Sequence, residues 1–207
     1  MSKLLCGSVL WLTFGSLSAW AQGAPALDTF TSPDGAFQFV YPETYQLLVG
    51  ESMLKATQSR QPGVSVCNFS TALACVIYPI EVQEDTRFEA AGFSVEAVPG
   101  VSIESDCLTY TDQVARSRGE QFQITSIAIN EQVFRHASAR KKMLGHVQAV
   151  DLYRTFIRQT CYELQINVSV TDDSKVQRAA QSGLLGDPRA NTAREALRLI
   201  LSSIVFQ

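Results

Sequence analysis

From Tyr162 to Thr171 the chain alternates without a fault, with Tyr162, Leu164, Ile166, Val168 and Val170 on one parity and Glu163, Gln165, Asn167, Ser169 and Thr171 on the other. Successive side chains of a strand point to opposite sides, whereas a helical stripe returns every three to four residues, so this pattern fits a β-strand with one buried face. Val150 to Ile157 reads as its partner, and only Arg158-Gln159-Thr160 separates the two. So short a connection forces antiparallel neighbours, because a parallel crossover needs about a dozen residues or more.

The rest of the chain is built alike. Phe37, Phe39 and Tyr41 alternate with Ala36, Gln38 and Val40 until Pro42, which lacks the amide hydrogen a ladder needs. A further strand is expected in "TYQLLV", two more around "GVSVCNF" and "ACVIYPIEV", the latter ending near Tyr78-Pro79 or carried past it as an edge strand, and another in "FEAAGFSVEAV", with Phe93, Val95 and Ala97 facing one way and Ser94 and Glu96 the other. The β-branched run "FQITSIAI" turns through Asn130-Glu131 into "QVFRHASARKKM". A short helix carrying Cys107 is expected in "SIESDCLTY", where Ser102, Ser105 and Asp106 make an N-cap-like start.

A closing helix is expected from about Pro188 to Ser203. Ala193, Ala196, Leu197, Ile200, Leu201 and Ile204 recur at helical spacing, and Arg189, Arg194, Glu195 and Arg198 occupy the other side. Asp187 caps its start, with Pro188 in the first turn. A shorter helix capped by Ser174 and ended by Gly183 precedes it. Strands in succession with no long helices between them exclude parallel crossover units, so the predicted class is α+β: an antiparallel β-sheet with the C-terminal helix packed on one face.

Residues 1–21 read as an export signal: Lys3, an apolar stretch from Leu4 to Ala19, and the small-x-small site Ala19-Trp20-Ala21. That stretch falls short of the roughly twenty apolar residues of a membrane span, and Cys6 has too little hydrophobic sequence before it to be a lipid anchor site. No stable membrane span is expected after its removal. The expected organisation is a signal over 1–21, a flexible segment over 22–32 and one α+β domain over 33–207, secreted or periplasmic. The full chain has 17 basic and 20 acidic side chains, and loss of Lys3 takes its net charge from −3 to −4. That deficit of positive charge argues against a nucleic-acid partner.

Four cysteines remain after the signal: Cys67, Cys75, Cys107 and Cys161. In an oxidising compartment an even set makes two disulfides, with three possible connectivities. "CNFSTALAC" places Cys67 and Cys75 on the two sides of an expected hairpin, which leaves Cys107 to pair with Cys161. A zinc site would need metal-ligand spacing that neither the cysteines nor the two histidines offer, so no metal or other cofactor is expected. A redox role is the remaining alternative, and it requires a labile thiol of low pKa.

Neither a Gly-x-Ser-x-Gly elbow, a His-Glu-x-x-His helix nor a glycine-rich phosphate loop occurs. Any histidine chemistry must use His136 or His146. These stand among Arg135, Arg140, Lys141 and Lys142, and with Arg154 across the sheet the set Arg135, His136, Arg140, His146 and Arg154 is a candidate anion site. The bland reading is a solvated outer face that protects a sheet edge. Glu81, Glu84, Asp85 and Glu89 lack the turn glycine and convergent spacing of a calcium loop and are expected in a solvated loop. In the opening strand pair, Cys161 anchors the strand start, while Arg154 and Arg158 are expected at solvent or the rim.

The strand "GAFQFVYPETYQL", running into Tyr-Pro with an aromatic three residues on, and the final helix ending in "LILSSIVF" resemble the PsbP-like fold, the family of the extrinsic lumenal protein of photosystem II and of a Ran-binding nuclear import factor. The resemblance implies an antiparallel sheet with a C-terminal helix and a binding or assembly role without catalysis, the partner being an unknown protein or small ligand. The alternative is a hydrolase or transferase using His136 or His146 with a nearby carboxylate.

Overall fold

The computed structural model describes residues 25–58, 66–67, 72–80, 87–109, 124–143, 145–171 and 187–207. The expected signal, the acids Glu81, Glu84 and Asp85, and the short helix before Gly183 lie outside the described residues.

Along the chain the strands are β1 (Leu27–Thr31), β2 (Phe37–Pro42), β3 (Gln46–Leu48), β4 (Ala72–Ile77), β5 (Phe88–Ala97), β6 (Ile124–Ile129), β7 (Gln132–Met143), β8 (His146–Ile157), β9 (Thr160–Thr171) and β10 (Val205–Phe206). Three helices are described: α1 (Glu51–Gln58), α2 (104–109) and α3 (Pro188–Ser202). Seven strands form one antiparallel sheet in the order β3-β4-β5-β9-β8-β7-β6, and β1-β2-β10 form a second, small one. The class expected from the sequence is the class observed. Local expectations change: Leu27–Thr31, read as flexible, is a strand held to β2, and Val66–Cys67 is not part of a strand.

The β6–β7 and β8–β9 hairpins turn on two residues in the left-handed region, Asn130-Glu131 with φ of 47° and 68° and Arg158-Gln159 with φ of 49° and 63°. Two positive φ values in a two-residue loop are the geometry whose twist matches that of the flanking strands. Thr160, expected in the second turn, is therefore the first residue of β9.

α3 and the small sheet lie on the same side of the large sheet. Leu197, Ile200, Leu201 and Ile204 pack with Leu164, Ile166, Val168, Phe93 and Val95 in one apolar cluster. The small sheet closes it with aromatic rings, Phe39 on Phe93 with centroids 5.5 Å apart and Phe37 on Tyr162 at 6.0 Å. Asp187 caps α3 as expected, accepting from the amides of Arg189 and Ala190 at 2.8 and 3.2 Å. Its other oxygen accepts from the amide of Arg87 at 3.1 Å, which pins the helix start to the entrance of β5.

The far side of the large sheet is covered too. α2 is tied to β9 by Cys107–Cys161, and the 66–67 segment to β4 by Cys67–Cys75, with Cα separations of 5.5 and 6.2 Å. Both lie within the usual span of a disulfide, and the connectivity is the one the hairpin spacing favoured. α1 adds Met53 and Ala56 to a second apolar cluster with Leu48, Ile77 and Cys75. Gly92 lets Val66 lie flat on β5: a Cβ there would stand 2.6 Å from Val66 Cγ2 and 3.2 Å from the Val76 carbonyl oxygen.

Candidate functional site

In an antiparallel ladder, residues directly opposite one another share a face. The register His136↔Tyr153↔Leu164↔Val95 therefore runs along the helix side, and Arg135↔Arg154↔Glu163↔Glu96 along the far side. The five candidate anion-site residues divide accordingly. His136 and Arg140 belong to the helix side, and Arg135, Arg154 and His146 to the far side. They do not converge, and each of the two faces has its own polar centre.

On the helix side the centre is Asp151 of β8, which is buried together with Arg194 of α3. Arg194 grips the carboxylate with two donors, Nε to Oδ2 at 2.6 Å and Nη2 to Oδ1 at 2.5 Å. Ser138 Oγ donates to Oδ1 at 2.6 Å, His136 Nε2 stands 3.5 Å from the same oxygen, and Arg198 Nη2 lies 3.7 Å from Oδ2. Burial alone pushes this carboxyl up, but the bonds from His136, Arg194 and Ser138 outweigh it and hold the pKa at about 2. His136 stacks on Tyr153 at 4.5 Å, and burial raises that phenol to about 12. The helical pattern placed Arg194 on the outer side of α3. It is instead drawn inward, because a buried Asp151 requires a partner and α3 carries the one within reach.

Serine, histidine and aspartate thus meet here, but not as a relay. A relay needs the serine to donate to one imidazole nitrogen and the carboxylate to hold the other. Here Ser138 and Asp151 both face Nε2, at 3.3 and 3.5 Å, and Nδ1 faces Thr125 Oγ1 at 3.4 Å. The serine proton goes to the carboxylate.

On the far side the centre is Arg154, which is 2% exposed rather than at the rim as expected. Its Nε donates to Glu163 Oε2 at 2.5 Å, with Nη2 against the same oxygen, and Nη1 lies 3.5 Å from the Cys107 carbonyl of α2. Gln165 donates to Glu96 at 3.1 Å and Asn167 to Gln165 at 3.3 Å, while Asn167 also donates to the Val66 carbonyl at 2.8 Å. These are the polar alternates of the faultless β9 pattern. Glu163 and Asn167 are buried and Gln165 half-buried, and the three form a mutually bonded strip under two disulfide-held segments instead of a solvated face. Ser94 and Glu96, which face the other way from Phe93 and Val95, are buried beside that strip, Glu96 bonded to Gln165 and Ser94 Oγ without a hydrogen-bond partner among the described residues. Arg158 stays exposed, as expected.

At the end of this face Glu89, expected in a solvated loop, sits in β5 and gathers His146 Nδ1 at 2.6 Å, Ser169 Oγ at 2.7 Å and Thr171 Oγ1 at 2.9 Å. Both histidines thus have a carboxylate in reach. The two surface depressions described lie elsewhere, one along Asn191, Thr192, Glu195, Ala196 and Leu199 on the outer side of α3, the other along Thr44, Gln46 and Ile77–Ile80. No group of metal-ligating side chains occurs among the described residues, and no described helix is long and apolar enough to cross a membrane.

No family model matches the chain, and no curated protein matches it. Solved structures do. The Ran-binding protein Mog1p of Saccharomyces cerevisiae is 10% identical with a TM-score of 0.46, the match covering 88% of this chain and 96% of Mog1p. LpqN of Mycobacterium tuberculosis, described as involved in cell envelope biogenesis, is 10% identical with a TM-score of 0.49, covering 88% and 91%. The cyanobacterial PsbP of Synechocystis is 14% identical with a TM-score of 0.41, covering 93% and 100%. A Bacteroides thetaiotaomicron protein matches at 12% identity and a TM-score of 0.48 over 86% of this chain, which spans only 48% of that protein's length. Structures of both the PsbP and the Ran-binding type, the two named by the sequence resemblance, are thus among those to which this chain is similar.

Proposed function

We propose that the chain is an exported, non-catalytic domain with a binding or assembly role, its partner a protein or small ligand. Two disulfides support export, since such bonds persist in oxidising compartments. The observation that carries the absence of catalysis is the commitment of the Asp151 cluster to itself. The hydroxyl nearest His136 donates to Asp151 at 2.6 Å, and both carboxylate oxygens are held by Arg194. A base and a nucleophile whose bonds are closed in this way hold a helix to a sheet.

The second reading, a hydrolase or transferase, rests on the carboxylates beside His136 and His146. A fluorophosphonate probe separates the two readings. The exported protein should remain unlabelled, and labelling at Ser138 that disappears in His136→Ala would establish the enzyme. The binding role is tested by site-specific photocrosslinking in the exporting cells, from exposed Leu199 on α3 and from exposed Ile103 beside α2. A discrete adduct from one of these positions is expected, and its absence from both would refute binding through either face.

A further inference from the structure

The large sheet ends in two edge strands, and they differ. β3 has three residues, whereas β6, Ile-Thr-Ser-Ile-Ala-Ile, has six and carries neither charge nor proline. Native edges are blunted by brevity, charge, proline or cover, and β6 uses none of the first three. Among the described residues nothing pairs with its outer side.

The hairpin geometry says which groups that edge offers. A two-residue turn makes Ile129 and Gln132 the pair that exchanges hydrogen bonds, so Ile127 and Thr125 also bond inward to β7. The N–H and C=O of Ile124, Ser126 and Ala128 point outward. Beside them on the far side lies Val133 of β7, opposite Ala128 and 57% exposed, a large apolar side chain with no evident reason to face water.

We infer that β6 is a self-association edge, pairing antiparallel with β6 of a second copy of this chain about a two-fold axis through Ser126. That register sets Ser126 against its own equivalent, Ile124 against Ala128 of the second copy, and Thr125 against Ile127 of the second copy. Every pair is neutral, so the strand is complementary to itself, as an isologous contact requires. The pairing also joins Val133, Ala128 and the second copy's Ile124 into one apolar row, which covers the exposed valine. Arg135 stands one strand back, opposite Ser126, whose hydroxyl accepts from it at 3.4 Å. The inference is independent of the binding role proposed above, because it concerns an edge and neither polar centre.

Sedimentation equilibrium of the processed protein from the exported fraction, over about a hundredfold range of concentration, tests it. A reversible monomer–dimer equilibrium is expected. Ser126→Pro removes an outward N–H while leaving the β6–β7 bonds in place, and Ala128→Lys sets a charge against Ile124 of the second copy. Each should shift dimerisation at least tenfold toward monomer, with a melting transition as cooperative as that of the parent. A parent protein that is monomeric throughout, or a dimer unmoved by Ala128→Lys, would overturn the assignment.

Discussion

The two faces of the seven-stranded sheet are both covered over their central strands, by opposite means. On the helix side the contact is apolar, with one ionic cluster at its margin where Asp151 meets Arg194. On the far side polar side chains bond to one another, and disulfides hold the cover. The difference follows from what each cover can bury. A long amphipathic helix removes a continuous apolar stripe from water and so docks without covalent help. On the far side α2 and Val66–Cys67 add Cys107, Val66 and Cys67 to the buried side chains, and a covalent tie to the sheet supplements that burial.

The comparison breaks most sharply in the apolar core. Phe93→Ala should cost about 3–5 kcal/mol in denaturant unfolding through lost burial and a cavity, since its ring contacts Phe39 across the layer. Next come the buried ion pairs. Arg154→Met alone leaves Glu163 buried without its partner and should cost about 3–5 kcal/mol, while adding Glu163→Leu should restore most of the loss. A double variant no better than the single would mean that the far side holds through its polar bonds and not through packing.

The disulfides sharpen the contrast further. Cys107–Cys161 closes a loop with a sequence separation of 54 and Cys67–Cys75 one of 8. Loop entropy makes the first worth more, about 4 kcal/mol, and the second about 2 kcal/mol or a little more. Paired Cys→Ala variants compared by thermal melting should rank in that order.

The smallest expected effect is the pH response of the helix side. Asp151 falls from an ordinary 3.8 to about 2 in the folded state. A depressed carboxyl contributes stability above its unfolded pKa and loses it as pH falls from about 4 to about 2, here about 2 kcal/mol. Asp151→Asn should lack that loss in an acid titration followed by circular dichroism. Parallel curves for parent and variant would show that the carboxylate is not stabilised by its neighbours.

Much of this fold was legible in the sequence. The alternation of β9, its short turn from β8 and the Asp187-Pro188 helix start each carry their own local cause, and each appears within a residue of where the sequence placed it. The polar centres were not legible. Glu163, Gln165 and Asn167 occupy positions that a strand open to water on one side would also fill with polar residues, and nothing local states that a disulfide-held helix lies above them. Arg194 read as an outer helical residue because a helical wheel knows its stripe but not the carboxylate beneath it.

The sequence by itself determined the ribbons, their direction and the capped closing helix, because period, turn length and caps act over a few neighbours. Tertiary structure alone decided that each face holds a buried polar centre, that Arg154 and Arg194 are interior, and that His136 meets Asp151. Those facts depend on segments far apart in the chain coming to rest on the same patch of sheet, where the cost of burying one charge is met by the nearest opposite one.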